Sequence, residues 1–94
     1  VIRSLNQDET SDMEAMYRIA GGQVEAMQFE VREQSRIIDK PLSKLELKPH
    51  ILIGYIVRGR DVIVPGGSDS IRVGDHVIVV TQNQAIVNLD DCLL

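Results

Sequence analysis

Apolar and polar positions alternate most clearly around a glycine pair near the start of the chain. Residues 15–19 (A-M-Y-R-I) precede Gly21 and Gly22, and residues 24–31 (V-E-A-M-Q-F-E-V) follow them. In the second run Met27, Phe29 and Val31 fall on one side, with Gln28 and Glu30 on the other. A period of two over such a length marks a half-buried strand, and paired glycines suit the turn between two strands. The pattern predicts an N-terminal β-hairpin. Helical spacing of Met13, Met16, Tyr17 and Ala20 offers a competing helix, which two glycines would end where the second run begins.

Residues 32–40 read as polar and lead to Pro41, a residue tolerated in a first helical turn. With Leu42 and Leu45 three apart, residues 41–47 read as a short helix over one end of a sheet, stopped by Pro49. The run at 51–57 (I-L-I-G-Y-I-V) is nearly all apolar, as in a buried central strand. Gly59 marks a turn, residues 61–65 return as a strand, and residues 65–69 (P-G-G-S-D) form a loop by composition. Residues 71–75 form a bend suited by Gly74 and Asp75, and residues 76–80 (H-V-I-V-V) are the last strong strand. Ala85, Ile86 and Leu89 share a helical face, so residues 82–89 read as a second short helix. The expected fold class is α+β, a small β-rich domain with an antiparallel or mixed sheet, an N-terminal hairpin and two short helices. Residues 1–12 read as a connector from an upstream domain and 13–94 as the folded unit. The chain opens in mid-pattern without Met, as expected of a piece of a longer protein.

Composition narrows the function more than the fold. Ninety-four residues make one domain, and with 3% aromatic residues and no Trp, the core must be Ile, Val and Leu. A domain of this size has a thin stability margin, which pairing with a second copy would remedy. The net charge of −4 and the scatter of its ten basic residues argue against a nucleic-acid partner. No apolar run is long enough for a membrane span, and the first residues lack the apolar core of a signal peptide. A single cysteine, Cys92, allows neither an internal disulfide nor a multi-cysteine metal site, and suits a reducing, cytoplasmic compartment.

Candidate chemistry is sparse. His50 and His76 are the only histidines. His76, at a strand entry, reads as a partly exposed structural residue. His50 reads as a solvated loop residue or a donor to a ligand at a dimer groove. No His/Cys/Asp/Glu spacing makes a metal site, though the paired carboxylates Asp90 and Asp91 could hold a weakly bound cation. Glu30, Glu33 and Glu46 read as solvated carboxylates. No nucleophile has a base in a recognisable motif, and the reading is not an enzyme. The glycine pairs lack the G-x-G-x-x-G context, so neither NAD nor ATP is expected to bind here.

The ordered series of P-L-S-K-L-E-L at 41–47, I-L-I-G-Y-I-V-R-G at 51–59, D-V-I-V-P at 61–65 and I-R-V-G-D-H-V-I-V-V at 71–80 resembles one family. It looks like the TrkA C-terminal domain, the C-terminal lobe of RCK (regulator of potassium conductance) proteins, over residues 16–89. The resemblance implies an upstream Rossmann-type lobe, where NAD or ATP would bind, and a homodimer. It also implies a cytoplasmic ring at the inner face of the membrane that gates a potassium-transporting subunit. Some members bind cyclic diadenylate between two such lobes. The matching positions make Leu42, Glu46, Leu47, Lys48, His50, Leu52 and Ile53 the candidate ligand site. Two departures are visible: Lys48 stands for an Arg and lacks its bidentate fork, and Leu52 stands for an Asn and offers no hydrogen bond. The same residues also read as dimer packing, with Leu45 and Leu47 in apolar contact and Lys48 in water. Related lobes occur on anion transporters and cation/proton antiporters, and this stretch alone separates these hosts poorly.

Overall fold

In a computed structural model that describes residues 11–82 and 85–94, the hairpin forms as the alternation predicts. Strand β1 (Ser11–Ile19) passes through a single 3-10 turn, Ala20–Gly22, into β2 (Val24–Val31). Gly21 and Gly22 adopt φ of 68° and 90°, the left-handed region that glycine enters without steric cost. Residues 1–10 of the expected connector lie outside the described residues, while Ser11 and Asp12 already open β1.

Three further strands complete the sheet: β3 (Ile51–Arg58), β4 (Asp61–Ile63) and β5 (His76–Gln82). Their order is β1-β2-β5-β3-β4, and every neighbouring pair is antiparallel. The run at 51–57 is therefore not central. The middle place belongs to β5, the last strand in the chain, which pairs with β2 across more than forty intervening residues.

Alternation points one face of this sheet inward. Met27, Phe29 and Val31 of β2, Ile53 and Ile56 of β3, and Val77 and Val79 of β5 are buried there. Met13 and Met16 of β1 pack against them. The second layer of the core comes from connecting segments: Ile37, Ile71, Ile86, Leu89 and Cys92 are buried in the same cluster. Ile37 lies within the stretch 32–40 that reads as polar, so that reading is corrected at this position.

The two expected short α-helices are absent from the described residues. At 41–47 only Leu42–Lys44 forms a 3-10 turn, and Leu45 is already extended at φ −82°, ψ 136°. A segment of seven residues bounded by Pro41 and Pro49 is too short to repay helix nucleation. Its backbone bonds elsewhere: the Leu42 and Ser43 amides donate to Asp69 and Gly67 carbonyls, and Leu47 bridges to Leu93. Near the C-terminus, residues 85–88 are irregular and a single turn forms later, at Leu89–Cys92. Asn88 and Asp91 form a capping box that fixes its start. Ile86 and Leu89 are buried as their spacing suggests, but Ala85 is exposed.

A part-buried ion pair ties β3 to the bend before β5. Arg58 donates through Nε to Asp75 Oδ1 at 2.9 Å and through Nη2 to Asp75 Oδ2 at 2.8 Å. Asp75 also accepts from the Arg72 amide at 2.9 Å, and Arg58 reaches the Ser70 carbonyl at 3.0 Å. The Asp75 carboxylate thereby holds the Arg58 guanidinium above its ordinary pKa.

Candidate ligand-binding cleft

Where the 3-10 turn after Pro41 meets the start of β3, the surface opens into a cleft of about 250 Å³. Four of the seven residues singled out from the sequence meet here: Leu42, Leu47, Leu52 and Ile53. Each is placed by a different constraint. Leu42 sits on the turn held by its own amide to the Asp69 carbonyl, 2.8 Å. Leu47 is fixed by its bridge to Leu93, and Leu52 and Ile53 by the pairing of β3 with β5.

The opposite wall is Pro65, Gly66 and Gly67, which sequence reasoning saw only as a loop. Ser43 packs so closely on it that a Cβ at Gly67 would meet the Ser43 Cβ at 3.2 Å. That tight approach requires glycine and is the one local signal that could have located the wall. The loop is further fixed by Asp69, whose carboxylate accepts from the Gly66 amide at 2.7 Å.

The remaining three candidates do not line the cleft. Glu46 is exposed, and its carbonyl accepts from the Leu94 amide at 2.9 Å. Lys48 is half-buried and its amide donates to the Cys92 carbonyl at 2.8 Å. His50 is exposed with φ of 62°, and its carbonyl accepts from the Gln82 amide at 3.0 Å. Their backbones brace the segment.

The cleft is lined by apolar side chains and glycine backbone, with Ser43 as its one polar side chain. No acid, base or nucleophile converges on it. His76 lies elsewhere, half-buried on the sheet, with its Nδ1 2.6 Å from Glu14 Oε1. Asp90 and Asp91 are structural: Asp90 accepts from Ser35 Oγ and the Arg36 amide, and Asp91 from the Val87 and Asn88 amides. No group of three His, Cys, Asp or Glu is arranged for a metal among the described residues. Cys92 is buried, and desolvation, followed by the charge of Asp91, pushes its thiol up to about 12.

Comparison with known proteins places this geometry in context. The family model of the TrkA-C domain matches residues 26–90. The chain is 35% identical over 72 residues to Trk system potassium uptake protein TrkA homolog 2 of Methanosarcina mazei, covering 77% of this chain and 16% of that protein. It is 32% identical over 73 residues to TrkA homolog 1 of the same organism, covering 78% and 16%. Against the Archaeoglobus fulgidus TrkA homolog the identity is 30% over 67 residues, covering 71% and 15%. The chain thus spans about a sixth of the length of the curated relatives it matches.

Proposed function

The chain belongs to the TrkA-C domain family, and from that premise we propose that it is the regulatory C-terminal lobe of a TrkA-type potassium-uptake protein. The family is a regulatory one, not a catalytic one. In the proposed role the lobe pairs with a second copy and binds a small ligand in its cleft. Through the full-length protein it would then gate a membrane potassium-transporting subunit. The observation that carries the ligand reading is the convergence of Leu42, Leu47, Leu52 and Ile53 on one apolar cleft. The ligand proposed is cyclic diadenylate, whose adenine rings match apolar walls of this kind. NAD or ATP would belong to an upstream lobe.

Regulation of this sort requires only that the ligand favour one arrangement of the paired lobes over another. No described helix is long and apolar enough to cross a membrane. The proposed location is cytoplasmic, held at the inner membrane face by the transporting subunit.

A ligand-free assembly lobe is the second reading. It is favoured by Lys48 and Leu52: the first stands outside the cleft and the second carries no polar group into it. Calorimetric titration with cyclic diadenylate, beside cyclic diguanylate as control, separates the two. Selective binding at about one ligand per two chains supports the sensor. The absence of heat from a folded dimer would support the assembly lobe.

A further inference from the structure

Beside the cleft, the sheet leaves part of its backbone unpaired. The Gln82 amide donates to the His50 carbonyl at 3.0 Å, and Ile51 and Leu52 stand opposite Thr81 and Val80. Bonding residues alternate along an antiparallel ladder, so Leu52 turns its amide and carbonyl toward β5, while Ile51 and Ile53 turn theirs away from it. On that other side β3 has a neighbour only further along, where Ile56, Val57 and Arg58 meet Ile63, Val62 and Asp61. Among the described residues, no hydrogen bond reaches the amide or carbonyl of Ile51 or Ile53 from this edge.

The strand that would fill this gap is turned aside by its own sequence. β4 stops at Ile63, and soon after comes Pro65, which has no amide to donate to a ladder. From there the chain crosses to the turn after Pro41, where the Ser43 and Leu42 amides donate to the Gly67 and Asp69 carbonyls at 2.9 and 2.8 Å. Loop and turn are thus bonded to each other and not to β3. The space of about 250 Å³ that separates them from Ile51, Leu52 and Ile53 is the cleft.

We infer that the cleft receives a short extended segment of another polypeptide, which adds as a strand to the open edge of β3. Two independent features select that occupant. First, the edge presents a donor and an acceptor on Ile51 and again on Ile53, the two-residue repeat that the backbone of an extended peptide matches. Open amides and carbonyls on an edge are a template for such pairing. Second, the lining beside the edge is apolar: Leu42, Leu47 and Pro65 face it, and no Lys, Arg, Asp or Glu takes part. A charged side chain would find no counter-ion there, so the segment is apolar where it enters. Two bonding residues on β3 engage a stretch of about three residues, whose first and third side chains fall on the same face. The inference goes beyond the cyclic-dinucleotide reading and does not rest on it; the two ligands would compete for one cleft.

The test is an amide-resolved NMR titration of the labelled chain with a blocked hexapeptide of alternating valine and threonine. A second peptide, N-methylated at its valines, keeps the side chains and loses the main-chain donors. The expected result is saturable binding below about 1 mM, with shifts at the Ile51, Ile53, Gly66 and Gly67 amides. N-methylation should weaken it at least ~10-fold. Gly66→Leu, which adds a side chain to the cleft wall where a Cβ meets only Asp69 Oδ2 at 3.8 Å, should weaken it by a similar factor. Val73→Thr, in the exposed bend before β5, should leave it unchanged. Equal binding of the N-methylated peptide, shifts that map elsewhere, or no titration of a folded chain would each overturn the inference. So would shifts at Ile51 and Ile53 that follow chain concentration without peptide, since a second copy would then hold this edge. Cyclic diadenylate titrated into the same chain reports on the other reading separately, and its failure to bind leaves the peptide result standing.

Discussion

The two faces of the sheet are built from similar residues and meet different fates. On one, Met27, Phe29, Ile56, Val77 and Val79 lie under a second layer contributed by the connecting segments. On the other, Tyr17, Leu52, Tyr55, Ile78 and Val80 have no such layer among the described residues. Strand pattern alone does not decide which apolar face is sealed. That decision is made by short pieces of loop: Ile37 between turns, Ile71 at its bridge to Ile38, and Leu89 and Cys92 on a single 3-10 turn. Removing apolar surface from water is worth roughly 25 cal/mol per Å², so the sealed face is the one whose burial holds the fold.

The largest expected effect comes from truncating one side chain on each face. Ile56→Ala empties a site that is fully buried, and should cost about 3–4 kcal/mol in urea unfolding. Leu52→Ala, on the same strand but open to water, should cost under about 1 kcal/mol in dilute chain. Equal losses at the two positions would mean that the outer face is already covered at the concentration of the measurement. Repeating the pair of measurements at higher chain concentration would show this directly.

Polar pairs sharpen the contrast next. On the core side, Asp75 is buried with its carboxylate held by Arg58 and the Arg72 amide. Asp75→Ala removes the acceptor of the part-exposed Arg58 guanidinium and of the Arg72 amide and should cost about 1–3 kcal/mol, read as a lower melting temperature. On the outer side Glu14, His76 and Gln28 form a half-exposed cluster, and Glu14→Ala should cost no more than about 1 kcal/mol. A Glu14 effect as large as that of Asp75 would break the distinction between a structural core pair and a solvated rim pair.

The strands were legible in the sequence because their signal is local. The Met27–Phe29–Val31 alternation, the glycine pair and the Gly74 bend each report on neighbours within a few residues. The helix read at 41–47 is a 3-10 turn because that segment takes its shape from distant backbone, and the described residues of 82–89 form no α-helix. Leu42 is held by Asp69, Leu47 by Leu93, and Ser35 reaches Asp90 across 55 positions. Ile37 was lost for the same reason, being a lone apolar residue whose partners are all remote. The cleft was half legible. Resemblance pointed to Leu42, Leu47, Leu52 and Ile53, but the Pro65–Gly67 wall depends on a contact with Ser43 that no spacing rule contains. The continuous apolar run at 51–57 read correctly as a strand, but only its inner side is buried: Leu52 and Tyr55 on the outer side are exposed.

Cys92 tests how completely the core face is sealed. Its thiol is buried by the Leu89–Cys92 turn, and desolvation raises its pKa from 9.0 to about 12. In the unfolded chain the thiol ionises near the ordinary value, whereas in the native chain it keeps its proton until much higher pH. Between those values the native state binds more protons than the unfolded state, so stability is complete below pH 9 and falls as the pH rises toward 12. The slope should approach about 1 kcal/mol per pH unit, measured as the urea midpoint of wild type against Cys92→Ala. A difference independent of pH would show that water reaches the sulfur, and the turn that closes the core face would then be open in solution.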